Sequence, residues 1–405
     1  MFWQPYAERE TRQPHERLKV LKSWLDECLD HHDGRSSSAH DLTSGLLPRR
    51  VLDLTDSPRT PSSSSQVQIR LRETSKETQG KYIALSYCWG QETENHFTTK
   101  SQNIGQHRER INFDSLPLTR REAVLVALYL DVRYLWIDSL RITQDIASDR
   151  AAEAANMSSV YLSAMLRLAA TACRSPQDGL PNPPQSARCV PIDDDMAMVR
   201  MQTHTDVNSA SEPLNTRAWT LQEAILSQRM ICFGSEQWLW RCSSRCATED
   251  GFEDRVPMNT EGLYRAPLSA TRRPDETRQL YVKQWYQLVR DYSRRKLTYQ
   301  RDKLSAIAGL ADICAKQTGF QYVAGLWVGD IGAGLMWQAT STGVTRGHSP
   351  FPSWSWASTE GAILTQDFTE ADTSMIGVLK VDRDLNEYTS ATLCATLGCM
   401  SALQP

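Results

Sequence analysis

Apolar residues recur at Leu18, Leu21, Leu25 and Cys28 within residues 14–29. That three-to-four spacing marks one face of a helix. LLPRRVLDL at 46–54 reads as a short strand, and the proline and serine of DSPRTPSSSSQ at 56–66 read as a loop or linker. Residues 81–87 (KYIALSY) are apolar at nearly every position, the pattern of a strand covered on both faces of a parallel sheet. TRREAVLVALYLD at 119–131 predicts a helix with Thr119 as its N-cap. YLWID at 134–138 is the next strand, followed by a helix through 147–163 and a strand at 165–172 (MLRLAATA). Residues 176–213 are proline-rich and predict a long irregular surface loop. A helix at 217–226 (RAWTLQEAIL) then leads to strands at 229–234 and 237–242. Strands alternating with helices predict an α/β fold with a doubly wound parallel sheet.

The remainder has a different rhythm. Helices are expected at 276–297, 302–316 and 330–340, and PSWSWAS at 352–358 reads as a strand. The expected organisation is an N-terminal helix, strand and linker over 1–80, an α/β domain over 81–242, and a mainly helical region over 243–405. Ile83, Leu85, Leu135, Ile137, Leu168 and Ile231 are the expected core of the sheet.

Composition narrows the function classes. Of 405 residues, 40% are apolar and 23% charged, which is ordinary for a folded globular chain. A net charge of −3 supplies no field that would gather nucleic acid or an anionic membrane. No apolar run approaches the ~18 residues of a membrane span, and the polar start MFWQPYAERETRQ does not read as a signal peptide. The ten scattered cysteines are therefore expected as free thiols in a reduced, cytoplasmic setting. The Cys242 and Cys246 pair lacks a second ligand pair, so no metal site is expected. No G-x-x-x-x-G-K-[ST] run is present. Gly332 and Gly334 have no preceding Rossmann strand, and no cofactor is expected. The basic clusters Arg120/Arg121 and Arg294/Arg295/Lys296 read as solvated helix faces. The twelve tryptophans mark either a core or an aromatic cleft.

Candidate chemistry follows from strand ends. In open α/β sheets, ligands bind beyond the carboxyl ends of the strands. Ser86, Tyr87, Cys88 and Trp89 fall at the end of the first strand of this domain, and Asp138 at the end of the second. Successive helical residues rotate by about 100°. Leu221, Ala224 and Ile225 therefore share one face of the 217–226 helix, while Trp219, Gln222, Glu223 and Leu226 share the other. Desolvation between Trp219 and Leu226 would raise the pKa of Glu223. A carboxylate beside an indole suits a ribosyl substrate: one stabilises an oxocarbenium-like charge, the other stacks on a flat ring. Arg217, a cation opposing the helix dipole, would be offset by Asp138 or by a bound phosphate. The plainer alternatives are a Glu223 salt bridge to Arg217 or Arg229, Asp138 capping a turn and Asp145 capping a helix. Cys88 has no histidine in a partner motif, and His96 is expected to be solvated.

Three segments carry a family resemblance: YIALSYCWG at 82–90, LWIDSLRITQD at 135–145, and NTRAWTLQEAILS at 215–227 with FGS at 233–235. They resemble, in order and content, the three blocks of the fungal heterokaryon incompatibility domain. KSWLDEC, LPRRVLDL, LAATACRSPQDGL, DKLSAIAGLA and PSWSWAS extend the likeness. Arg141 stands where that family usually has a cysteine. The family is distantly similar to Toll/interleukin-1-receptor-type domains, which share a flavodoxin-like sheet and some of which cleave NAD. The resemblance implies a role in non-self recognition and programmed cell death. It implies Glu223 as the catalytic carboxylate, and Ser86, Tyr87, Trp89, Asp138, Arg217 and Trp219 around NAD as substrate. A second reading is a non-enzymatic module that self-associates and recruits an unknown protein partner; a third is an accessory protein of a fungal gene cluster. The enzyme reading expects Glu223 to line a cleft with Ser86 or Tyr87 within about 10 Å. The module reading expects Glu223 to be buried or ion-paired.

Overall fold

The computed structural model describes residues 14–31, 45–75, 77–90, 97–180, 189–191, 198–200, 212–235, 237–249, 251, 253–255, 274–340, 349–365, 376–381 and 391–395. The chain divides into two compact units: residues 1–215 with 223–259, and residues 216–222 with 260–405.

The first unit is built on one nine-stranded sheet. Its strands are β1 (Arg50–Asp53), β2 (Arg70–Glu73), β3 (Tyr82–Ser86), β4 (Tyr134–Trp136), β5 (Leu166–Ala169), β8 (Arg229–Phe233), β9 (Trp238–Cys242), β10 (Arg245–Thr248) and β11 (Glu253–Arg255); a separate hairpin pairs β6 (Cys189–Pro191) with β7 (Met198–Arg200). The spatial order is β11-β10-β9-β8-β5-β3-β4-β1-β2. The four central strands β4, β3, β5 and β8 run parallel, as the alternating pattern predicts. The flanks are antiparallel, so the sheet is mixed rather than wholly parallel. For β8 and β9 the short connection is the reason: a parallel return needs a crossover of a dozen or more residues, and only four residues separate Phe233 from Trp238. A side chain at Gly234 would meet the Gln237 carbonyl there at 2.9 Å.

Helices cover both faces. On one face lie α1 (Pro14–His31) and α3 (Leu118–Tyr129). Their Leu21, Trp24, Leu25, Ala123, Val124, Ala127 and Leu128 join Ile83, Leu85, Leu135, Ile137, Leu168 and Ile231 in a continuous core. All six expected core residues are essentially inaccessible. The opposite face carries α5 (Ala147–Ser163) and α6 (Trp219–Leu226). Here Tyr161 meets Trp136 edge to face at 5.5 Å, and Ala224 packs with Ala169, Met230 and Cys232. The short helices α2 (Ile104–Glu109) and α4 (Asp138–Arg141) complete the unit.

Three local expectations are revised. Pro117, not Thr119, occupies the N-cap of α3; the Thr119 hydroxyl instead accepts from the Gly179 N–H at 3.1 Å. Asp145 does not cap α5, which Ile146 precedes; its carboxylate accepts from the Ser101 N–H at 2.9 Å. The 176–213 loop contains the β6–β7 hairpin. His96 lies outside the described residues.

The second unit contains helices α7 (Pro274–Ser293), α8 (Ala308–Thr318) and α9 (Ile331–Leu335). Three short hairpins accompany them: β12 (Tyr322–Val323) with β13 (Leu326–Trp327), β14 (Gln338–Ala339) with β15 (Ile363–Leu364), and β16 (Ile376–Val381) with β17 (Ala391–Ala395). Its core is aromatic, with Trp285 meeting Trp327 at 5.2 Å. PSWSWAS is not a strand: it turns into a 3-10 helix at Trp356–Ser358, with the Ser355 hydroxyl accepting from the Ala357 N–H. The Gly325 carbonyl accepts from both the Trp356 and Trp285 indoles. Gly325 has φ +94, and any side chain on it would collide with the Trp356 ring at 2.5 Å.

Candidate functional site

Residues alternate faces along a strand, so Ser86 and Tyr87, adjacent in sequence, point to opposite sides of the sheet. At the carboxyl end of β3 the two residues enter two separate polar networks.

The first network lies under α5 and α6. The Ser86 hydroxyl donates to Glu223 Oε2 across 137 positions of chain. Arg167, on the neighbouring strand β5, donates from Nη2 to Ser86 Oγ at 2.9 Å. The same nitrogen stands 3.7 Å from Glu223 Oε2. Parallel pairing makes this possible: Ala84 lies opposite Arg167 and Ser86 opposite Ala169, so both polar side chains leave the sheet on the α6 side. Tyr161 closes the network from α5, with its hydroxyl 3.5 Å from the Leu85 carbonyl. Burial pushes the Tyr161 phenol well above its ordinary pKa, and the negative charges of Glu223 and Asp138 add to the rise. It is therefore a neutral hydroxyl at any ordinary pH.

Glu223 is 7% exposed and Arg167 2%. Residues 220–227 are buried without a break, so α6 presents no open face. The expected split into an apolar and a polar face fails because both sides of this helix are covered. Arg167 stands beside Glu223 as a cation that the expectation of Arg217 or Arg229 did not include. Sequence reasoning missed Arg167, although a signal was present: one arginine inside an otherwise apolar strand needs an internal partner.

The second network lies on the α3 side. Tyr87 donates to Ser139 Oγ at 2.8 Å and accepts from Arg120 Nη2 at 3.0 Å. The Arg120 guanidinium also stacks on the Tyr87 ring at 5.2 Å and donates to the Phe97 carbonyl. Arg120 is wholly buried, which corrects its expected place on a solvated helix face. Burial raises the Tyr87 pKa, with a further rise from the Asp138 charge. Nearby, the half-buried Trp89 indole donates to Asp138 Oδ2 at 2.7 Å. Asp138 Oδ1 accepts from the Ser139 N–H at the start of α4. Asp138 is thus both a helix-start acid and a partner of Trp89.

Arg217 and Trp219 belong to the second unit, whereas Glu223 belongs to the first. The Arg217 carbonyl accepts from Thr220 Oγ1 at 2.8 Å, and Ala218 N–H donates to the Lys296 carbonyl at 2.9 Å. Trp219 is half-buried and precedes Glu223 by one helical turn.

Arg141 sits on the face of Trp136 at 4.9 Å and pairs with Glu153 at 2.5 Å; all three residues are almost fully buried. The cysteines at 28, 88, 173, 232, 242, 246 and 314 are free thiols. No helix among the described residues is long and apolar enough to cross a membrane.

No curated protein matches this chain, and no solved structure matches it. A protein-family comparison matches residues 82–223, the stretch from the first residue of β3 to the Glu223 carboxylate. The family is described as heterokaryon incompatibility protein (HET), and in this stretch the chain is similar to that family.

Proposed function

We propose that the chain acts in fungal non-self recognition and programmed cell death, and that its 82–223 domain hydrolyses NAD at the nicotinamide–ribose bond. The observation that carries this reading is the meeting of Ser86, Arg167 and Glu223 at the carboxyl end of β3, where open α/β sheets bind ligands. As the C1′–N bond breaks, positive charge grows on the ribose, and a nearby carboxylate stabilises it. In this reading Glu223 is that carboxylate and Ser86 orients it. Trp219 stacks on the nicotinamide or adenine ring, and Arg217 pairs with a phosphate. Tyr87, Trp89 and Asp138 form the second network at the same strand end and frame the substrate. Water adds to the ribosyl cation, giving ADP-ribose, nicotinamide and a proton.

Glu223→Gln keeps the shape of the side chain and removes its charge. NAD consumption by the purified chain should fall by on the order of 10²–10³. Glu223→Asp should be impaired too, because its carboxylate is drawn back by one methylene.

A second reading is that the domain is a non-enzymatic, self-associating interaction module. The burial of Glu223 and its pairing with Arg167 favour it, since a saturated internal carboxylate can serve the fold alone. A wild-type chain that consumes no NAD and sediments as an oligomer would establish this reading.

A further inference from the structure

Arg167 is one of several buried charges of the sheet, with Arg50, Asp53, Arg229 and Arg241. It lies inside β5 between Leu166 and Leu168 and is 2% exposed. A guanidinium remains charged under all ordinary conditions, so burying it demands an anion. Its carboxylate is Glu223, from a helix more than fifty positions further along the chain.

The geometry of the pair is not that of a structural clamp. A stabilising arginine–carboxylate pair is commonly a parallel two-bond fork. Here one nitrogen, Nη2, serves both Ser86 Oγ at 2.9 Å and Glu223 Oε2 at 3.7 Å, while Nε has no hydrogen-bond partner among the described residues. Because Ser86 Oγ accepts from Arg167, its own proton is left to point at Glu223. Arg167 thereby sets the direction of the Ser86 hydroxyl as well as the charge beside the carboxylate.

We propose that Arg167 is the positioning residue of this site: it keeps the buried Glu223 carboxylate ionised and, through Ser86, holds one of its oxygens at the end of β3. The chemical purpose of this arrangement rests on the NAD-cleaving reading above. The arrangement itself is a property of the folded chain. Burial alone favours the neutral carboxylic acid, whereas an opposite charge within about 4–6 Å favours the ionised form. An acid without charge could not stabilise a ribosyl cation. Tyr161 from α5 stays neutral, its phenol raised by burial and by the charges of Glu223 and Asp138. From β8, Cys232 is a neutral thiol pushed up to about 11 by burial. The charges of Arg167, Arg241 and Glu212 all act on that thiol.

The test compares Arg167→Gln, which removes the charge, with Arg167→Lys, which keeps it. Infrared difference spectra would follow protonation of the Glu223 carboxyl, assigned by its disappearance in Glu223→Gln. In Arg167→Gln, Glu223 should take up its proton about 1–3 pH units higher than in the wild type. Arg167→Lys should stay close to the wild type. Where NAD is consumed, the acid limb of the rate profile should move by the same amount. Identical titration in folded wild type and Arg167→Gln overturns the proposal. Should Arg167→Gln fail to fold, the double variant Arg167→Gln/Glu223→Gln decides. Recovery of the fold on neutralising both partners supports the pairing; continued failure shows that the guanidinium is structural and overturns the proposal. A shifted titration with no NAD consumption in the wild type upholds Arg167 and removes the enzyme reading. NAD consumption with an unmoved acid limb does the reverse.

Discussion

Replacing Leu85 by alanine tests the central strand on which both polar networks depend. Leu85 is 1% exposed, lies opposite Leu168 in the parallel ladder, and belongs to the core shared by the sheet, α1 and α3. The substitution deletes three carbon groups. At about 0.8 kcal/mol for each buried methylene-sized group, the lost transfer free energy is roughly 2.4 kcal/mol. Neighbours on a strand hydrogen-bonded along both edges cannot collapse fully into the gap. The cavity term then raises the cost to about 3–5 kcal/mol. Urea denaturation followed by tryptophan fluorescence would measure it, since Trp238 and Trp240 share that core. Leu46→Ala is the internal control: Leu46 is 55% exposed, and its loss should change stability by no more than about 0.5 kcal/mol. A Leu85→Ala cost below about 1 kcal/mol, well under the range for buried leucines, would refute the placement of this strand at the centre of the core.

Two further outcomes concern buried charge. In the second unit, burial pushes the Lys303 ammonium down to about 8 while its Nζ donates to the Thr359 carbonyl. The folded state binds this proton more weakly than the unfolded chain, so the stability contributed by Lys303 rises as pH climbs from about 8 to 10.5. Thermal melts of wild type and Lys303→Met across that window should show a rise in the wild type that the variant lacks; parallel curves would count against it. In the first unit, burial pushes the Asp149 carboxyl up, but hydrogen bonds from Arg50 and Thr143 outweigh it and hold the group below the usual range. Its stabilisation is present above the unfolded value of about 3.9 and is lost as pH falls further. Asp149→Asn should therefore cost about 3–5 kcal/mol at neutral pH, the scale for one broken partner of a buried pair. In denaturant titrations its curve should converge on the wild type in acid, and a constant gap down to low pH would contradict this account.

Local periodicity carried much of the architecture. Strands at 82–86, 134–136 and 166–169, and helices at 118–129 and 147–163, fall within three residues of the apolar patterns that announce them. Those patterns depend on neighbours along the chain. What escaped was decided by distant partners. PSWSWAS has the alternation of a strand, yet the Gly325 carbonyl, bonded to the Trp356 indole, draws it into a turn. The chain also named Ser86, Tyr87 and Glu223 as polar residues of interest, from strand ends and one helix. It did not reveal that Ser86 and Tyr87 serve different networks, although the two-residue repeat of a strand requires it once that strand is covered on both faces. Arg167 drew no reading at all, and Arg120 read as a solvated helix residue. Their partners, Glu223 and Tyr87, lie tens of residues away in sequence, and only the register of β3 against β5 and the docking of α3 bring them together. A sequence announces its elements because they form by interactions a few residues long; its polar networks close through contacts that exist only after the elements have packed.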